Sequence, residues 1–140
     1  HFRHVNTYGG HPVATAVSLK NIEIVQRENL AENAAKMEAY IKGRLNEFAD
    51  HPYVGEIRGK GLLLGIELVS DKEKKTPLEM AKANAIIQSC LKQGVSIMRN
   101  GNTVPGLGNV LIMAPPLILQ ENEADQIVDA IGNALKQVLN

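Results

Sequence analysis

The sequence contains no tryptophan, a single cysteine and no excess of charge of either sign. Lysine plus arginine number 15 and aspartate plus glutamate number 15, so the formal net charge is zero. Proteins that bind nucleic acid through its phosphates, and polybasic membrane anchors, both need a basic excess, so neither class is expected. Aromatic residues make up 4% of the chain, which argues against stacking on bases or sugars.

The other scarce features concern the cellular setting. One cysteine, Cys90, cannot form a disulfide within the chain, which predicts a reducing compartment, and we expect the cytoplasm. No run of about 18 apolar residues is present, so no membrane-spanning segment is expected. The chain opens on His1-Phe2-Arg3-His4 rather than on methionine. We therefore expect a processed chain or a piece of a longer protein.

What is present is typical of a globular domain. The chain has 140 residues, of which 44% are hydrophobic, and a chain of this length can bury about 68–70% of its unfolded surface. Hydrophobic spacing predicts a first helix from Pro12 to about Gln26. It predicts a second helix most clearly, because apolar residues step by 4, 3, 4, 4 and 3 along one face. These residues are Leu30, Ala34, Met37, Ile41, Leu45 and Phe48.

The middle of the chain is typical of strands. Residues 54–57 and 62–69 predict two strands, with a bend or bulge at Gly59 and Gly61 between them. Residues 76–79, Thr-Pro-Leu-Glu, have the pattern of a capping box, which predicts a third helix from Pro77 to about Gln93 that ends at Gly94. Two short strands at 95–98 and 110–113 and a final helix from Asn122 follow.

The predicted order from Pro12 is ααββαββα. It favours an α+β fold in which helices cover one face of a small mixed or antiparallel sheet. A break near residues 27–32 divides this unit from the first 26 residues, which are typical of part of another unit.

Two features are candidates for chemistry. Residues 6–12, Asn-Thr-Tyr-Gly-Gly-His-Pro, offer a hydroxyl, backbone N–H groups and a glycine turn at a helix start, which can grip a phosphate. A simple helix entry explains this stretch equally well. The second feature is Arg99, at a predicted strand end, where a guanidinium can fork onto a carboxylate or sulfonate. On chemistry alone an exposed surface arginine is the more common case.

The remaining polar motifs favour plain structural roles. His1, His4 and His11 lack the helix and the further ligands of a metal site, so no metal is expected. His51 precedes a proline and is typical of a turn. Cys90, in mid-helix, is expected to be buried rather than nucleophilic. Residues 58–61, Arg-Gly-Lys-Gly, lack the spacing of a phosphate loop, and a strand bend explains their glycines.

Three blocks resemble a known family. They read HVNTYGGHPVATAVSLKNIEIV, then HPYVGEIRGKGLLLGIELV, then NVLIMAPPLIL followed by a helix, and together they resemble the class III, or omega, aminotransferases. The resemblance covers essentially the whole chain and leans towards the taurine–pyruvate and beta-alanine–pyruvate branch. It implies the C-terminal part of a homodimeric fold-type I enzyme that uses pyridoxal 5′-phosphate (PLP). Residues 1–29 would end the large PLP-binding domain, and residues 30–140 would form the small C-terminal domain.

The resemblance also implies roles for single residues. Thr7 matches the threonine that binds the PLP phosphate from the partner subunit, and the backbone N–H of Asn6 matches a group that often helps. Arg99 matches an arginine that can swing to bind a substrate carboxylate. Some family members carry another arginine in the strand before the Pro-Pro pair, where this chain has residues 111–114, Leu-Ile-Met-Ala.

The family's Schiff-base lysine, the aspartate that pairs with the pyridine nitrogen and the ring-stacking aromatic all lie upstream of the first block. We therefore expect no catalytic residue in this chain, and no activity without the N-terminal part of the enzyme. The expected reaction moves an amino group from an omega-amino acid or amine to pyruvate or a similar keto acid. Two alternatives remain: a non-catalytic α+β module that binds a small acid or a protein, and a structural or dimerising domain.

Overall fold

The computed structural model describes residues 5–101 and 104–139. Two helices come first, α1 (Pro12–Arg27) and α2 (Leu30–Leu45), and a 3-10 turn at Asn46–Phe48 extends α2. The chain continues through β1 (Val54–Lys60), β2 (Leu63–Asp71) and the two-residue β3 (Thr76–Pro77). Helix α3 (Met80–Lys92), β4 (Met98–Arg99), β5 (Val110–Met113) and α4 (Glu121–Leu139) complete it. This confirms the predicted α+β class.

The five strands form one sheet in which every pairing is antiparallel. The order is β1-β2-β5-β4, and β3 pairs with the other end of β2. On one face the side chains of β2 and β5 are buried beneath the helices; they are Leu64, Ile66, Leu68, Leu111 and Met113. On the opposite face Leu63 and Met98 are exposed. The core therefore lies between this sheet and α2, α3 and α4.

Helix α2 confirms the predicted stripe, because its buried residues are the first five members of that stripe. The sixth, Phe48, lies in the 3-10 turn and is half-buried. Helix α4 also presents one apolar face to the core: Ala124, Val128, Ile131 and Leu135 are buried, and Ile127 and Val138 are half-buried. The helical periodicity of these two segments thus specifies which face meets the sheet.

The expected bend at Gly59 and Gly61 is a tight hairpin turn. Lys60 pairs with Leu63, which leaves only residues 61 and 62 to connect the strands. A Cβ on Gly59 would lie 2.3 Å from the carbonyl oxygen of Leu63, and Gly61 has a φ of 55°. Gly59 therefore has no room for a side chain, and Gly61 adopts a left-handed conformation that favours glycine. The register shift of β1 lies instead between Val54 and Glu56.

The predicted capping box is wrong. Thr76 and Pro77 form β3 against β2, and the N–H of Leu78 donates to the carbonyl of Leu68 at 3.1 Å. Helix α3 consequently starts at Met80, and Glu79 provides no side-chain cap. Strand pairing has overridden the local capping signal, and Leu78 is buried in the core.

The other end of α3 confirms the prediction. Gly94 has a φ of 82° and donates its N–H to Leu91, while the N–H of Val95 donates to Cys90. This pair of bonds is the Schellman arrangement that closes a helix on glycine. The predicted strand over 95–98 is shorter than expected, because only Met98 and Arg99 pair with β5.

Helix α1 differs from the others because none of its residues is buried. Among the described elements, it packs mainly against α2. Val13, Val17, Leu19 and Ile22 are more than half exposed, and these side chains lie on several sides of the helix. A helix with apolar groups around its circumference is normally covered by other protein. No helix in the described part of the chain is both long and apolar enough to cross a membrane.

Candidate functional site

The glycine turn ahead of α1 forms one wall of an open groove of about 660 Å³. Within the turn the N–H of Gly9 donates to the carbonyl of Asn6 at 3.0 Å, and Gly10 has a φ of 76°. Pro12 then starts the helix, where its fixed φ suits the first turn. The lining residues are Val5, Asn6, Thr7, Tyr8, Gly9, Gly10, Ala14, Thr15 and Ser18.

Some polar side chains of the groove already form hydrogen bonds within the chain, and others are available to a ligand. Thr15 Oγ1 donates to the carbonyl of His11 at 3.0 Å, and Ser18 Oγ donates to that of Ala14 at 2.8 Å. Among the described residues, no hydrogen bond engages the exposed side chains of Asn6 and Thr7. Asn6, Thr7 and the exposed Tyr8 are therefore the side chains in this groove that can donate to a ligand.

The electrostatic setting of the groove favours an anion. Helix α1 has 16 residues, no acidic residue in its first turn and no side-chain cap from His11. Its first backbone N–H groups consequently carry the partial positive charge of the helix dipole without an internal carboxylate to neutralise it. A hydroxyl, an amide and this helix start together form a donor set suited to a phosphate.

Arg99 lies elsewhere, at the end of β4 and on the side of the sheet that faces α3. The side chain is half-buried. Its Nε donates to Oδ1 of Asn84 on α3 at 2.8 Å, and its Nη1 donates to the carbonyl of Asn100 at 2.9 Å. Arg99 does not line the groove beside Thr7. The structure thus does not bring the two predicted site residues of one chain together.

The chain matches a known protein family over nearly its whole length. The model of the class-III aminotransferases matches residues 1–135. The chain belongs to the class-III aminotransferase family. Among curated relatives, it is 43% identical over 137 residues to an uncharacterized aminotransferase of Bacillus subtilis. It is 39% identical over 139 residues to the taurine–pyruvate aminotransferase of Rhodobacter capsulatus.

Solved structures show the same relationship. An aminotransferase of Bacillus anthracis superposes with a TM-score of 0.90 at 43% identity, over 98% of this chain and 31% of that one. An (S)-enantioselective omega-transaminase of Thermomicrobium roseum superposes with a TM-score of 0.84 at 36% identity, over 100% of this chain and 30% of that one. The alignments with the two curated relatives include 98% and 99% of this chain but only 30% of each relative's own length. This class-III chain therefore corresponds to somewhat less than a third of its relatives.

Enzymes of the class-III family depend on PLP, and the donors of the groove suit one part of that cofactor. The phosphate of PLP is an anion, and the groove at Thr7 offers neutral donors beside a helix N-terminus with no opposing carboxylate. These residues fit a phosphate. The pyridine ring and the aldehyde require partners that the groove does not supply, because its lining includes no lysine, no carboxylate and, apart from Tyr8, no aromatic ring.

Cys90 has the inert character expected for a structural residue. It is fully buried, its Sγ lies 3.6 Å from the carbonyl of Ala130, and burial raises the pKa of the thiol to about 11. A thiol that stays protonated in the core is neither a nucleophile nor a metal ligand.

Among the described residues, the histidines form no recognisable metal site. His51 precedes β1, its Nδ1 accepts a bond from the N–H of Tyr53 at 3.3 Å, and burial together with Lys72 lowers its pKa. No group of three potential metal ligands occurs among the described residues. His1 and His4 lie outside them.

The glycine-rich hairpin tip at residues 59–61 is already bound to a carboxylate of the same chain. The Glu38 carboxylate accepts from the N–H of Gly61 at 2.6 Å and from Lys60 at 3.3 Å. Its other oxygen accepts from Lys42 at 2.8 Å. These contacts, with Lys42 first, lower the pKa of Glu38 to about 2. A structural role therefore accounts for this motif.

The contact between Asn84 and Arg99 is not predictable from the sequence. Asn84 lies 15 residues before Arg99, on a different element. An exposed asparagine in a helix has no distinguishing pattern, so only the packing of α3 beside β4 reveals the contact.

Proposed function

We propose that the full-length enzyme containing this chain transfers an amino group from an omega-amino acid or amine to pyruvate or a similar keto acid. The names of two relatives as taurine–pyruvate aminotransferases support pyruvate as the acceptor. The observation that carries the proposal is the groove at Asn6 and Thr7, whose donors are available and face no internal anion. PLP, when bound, supplies the electron sink for the reaction.

Each site residue then has a defined task. Thr7 donates its hydroxyl to the phosphate, and the backbone N–H of Asn6 adds a second donor beside the N-terminus of α1. Arg99 binds the acid group of the substrate and orients it. The lysine that binds PLP covalently belongs to the part of the enzyme outside residues 1–140, so this chain alone is inactive.

Thr7 acts in the site of the partner subunit of a homodimer. The separation of Thr7 and Arg99 within one chain supports this, because a single active site needs both the phosphate grip and the acid grip. A neighbouring subunit can bring the Thr7 groove of one chain to the Arg99 region of the other.

In such an enzyme the chain belongs to two domains. Residues 1–29 belong to the large PLP-binding domain, and residues 30–140 form the small domain. In support, α1 buries no side chain, whereas Leu30 is the first buried residue in the described part of the chain. Asn29 between them has a left-handed φ of 50°, which turns the chain sharply. The cytoplasm is proposed as the location because the one cysteine is unpaired.

The test is PLP affinity in the full-length enzyme. Thr7→Val removes the hydroxyl and keeps the shape of the side chain. One hydrogen bond to a charged group is worth ~1.5–3 kcal/mol, so the dissociation constant of PLP should rise roughly ten- to hundredfold. Thr15→Val is the matched control in the same groove, because Thr15 Oγ1 is engaged with His11. Equal PLP affinity of Thr7→Val and wild type would reduce Thr7 to a helix-entry residue.

A further inference from the structure

The guanidinium of Arg99 lies in a slot formed by three parts of the chain. Asn84 on α3 holds Nε at 2.8 Å, and Asn100 at the start of the next loop accepts from Nη1 at 2.9 Å. On the remaining side lies Gly108, where a Cβ would be 2.7 Å from Nη1 and 2.8 Å from Sδ of Met80. Gly108 is buried. The absence of its side chain is therefore what gives the guanidinium its place.

The backbone of Gly108 does not itself require glycine. Its φ lies outside the left-handed region, unlike that of Gly106 in the same loop. The three atoms nearest to a Cβ at position 108 all belong to two flexible side chains, Arg99 and Met80. The space at this position thus serves the arginine rather than the loop.

The contact with Asn84 limits how Arg99 can bind an acid. A carboxylate pairs with guanidinium through two parallel bonds, along the Nε edge or along the edge between the two terminal nitrogens. Oδ1 of Asn84 occupies Nε, which blocks the first edge. A substrate acid must displace Asn84 to use that edge. A carboxylate can do so because it is a stronger acceptor for a cation than a neutral amide.

We propose that Asn84 is a positioning residue that holds Arg99 in this slot and thereby sets the preference between acidic and neutral substrates. The inference rests on the proposed function, in which Arg99 binds the acid group. With a neutral amine the guanidinium stays on Asn84 and leaves the substrate space uncharged. With an acid it exchanges Asn84 for the substrate.

Three variants of the full-length enzyme test the slot in opposite directions. The readout is the ratio of kcat/KM for a short omega-amino acid to that for a neutral primary amine of equal length, measured in half-reactions. Asn84→Asp gives Arg99 a charged partner, so the acid-to-neutral ratio should fall about tenfold. Asn84→Ala removes the partner of Nε, and Gly108→Ala pushes Nη1 out of the slot. Both should release Arg99, so the ratio should rise roughly three- to tenfold. Gln88→Asp, exposed one turn further along α3, controls for added charge.

The outcome also separates this inference from the proposal on which it rests. Arg99→Leu should lower the ratio by itself and abolish the effect of Asn84→Asp, because coupled residues are not additive. If Arg99→Leu lowers the ratio but the three variants leave it unchanged, or change both substrates equally, the slot inference is wrong and the role of Arg99 stands. If Arg99→Leu leaves the ratio unchanged, both are wrong.

Discussion

Gly132 is a close-packed position of α4, and replacing it with alanine tests the packing of this helix. Gly132 is buried in mid-helix, and a Cβ there would lie 2.7 Å from Cζ and 3.0 Å from Cε1 of Phe48. Real Cβ contacts are longer, so the ring must move. Because Phe48 sits in the 3-10 turn after α2, its displacement loosens the contact between α2 and α4.

The magnitude follows from two opposing effects. Alanine in a helix interior is favoured over glycine by roughly 0.5–1 kcal/mol, while overpacking a core costs typically ~1–3 kcal/mol. Gly132→Ala should therefore lower the free energy of unfolding by up to about 2.5 kcal/mol, with a central value of roughly 1 kcal/mol. Gly43→Ala is the matched control, because Gly43 is an exposed residue of α2 with nothing within 4 Å of its Cβ position. That variant should raise the free energy of unfolding by roughly 0.5–1 kcal/mol.

Urea unfolding of the 140-residue chain, followed by circular dichroism, measures both values. The slope of the transition should stay constant, so that the midpoint reports stability alone. Adding Phe48→Leu to Gly132→Ala should recover part of the loss, since the smaller side chain vacates the contact. Equal stabilisation by Gly132→Ala and Gly43→Ala would show that Phe48 does not pack against α4 as described.

Two further predictions concern titratable groups. The pKa of Glu38 falls from 4.5 to about 2 on folding, so its contribution to stability is present above pH 4.5 and is lost as the pH falls towards 2. Glu38→Gln should flatten the acid limb of a stability–pH curve in this window, and an equally steep decline in the variant would contradict the assignment. Cys90 is buried and its pKa is raised to about 11. A thiol reagent at pH 8 should therefore label it only as urea opens the core, and rapid labelling of the native chain would refute its burial.

Local pattern predicts the fold well where one face of an element meets the core. The apolar steps of α2 identify its buried residues because a helix repeats every 3.6 residues. The pattern fails at residues 76–79, where the N–H of Leu78 pairs with Leu68. That bond joins residues ten positions apart, and no local capping rule contains it.

The candidate site is only partly predictable for the same reason. The composition of residues 6–12 indicates an anion grip at a helix start, but it does not separate that grip from a simple helix entry. The structure adds that Thr15 is engaged while Thr7 is available. The slot around Arg99 joins α3, β4 and the loop before β5, so it exists only once the sheet is assembled.

The central claim is that Thr7 serves the active site of the neighbouring subunit. A mixed dimer of the full-length enzyme tests it: one subunit carries Thr7→Val, and the other lacks the lysine that binds PLP. The single remaining lysine then lies in the Thr7→Val subunit and faces the intact Thr7 of its partner. The account predicts that this site binds PLP with wild-type affinity, tenfold or more tighter than the Thr7→Val homodimer. An affinity as weak as that of the Thr7→Val homodimer would contradict it, because Thr7 would then act within its own subunit.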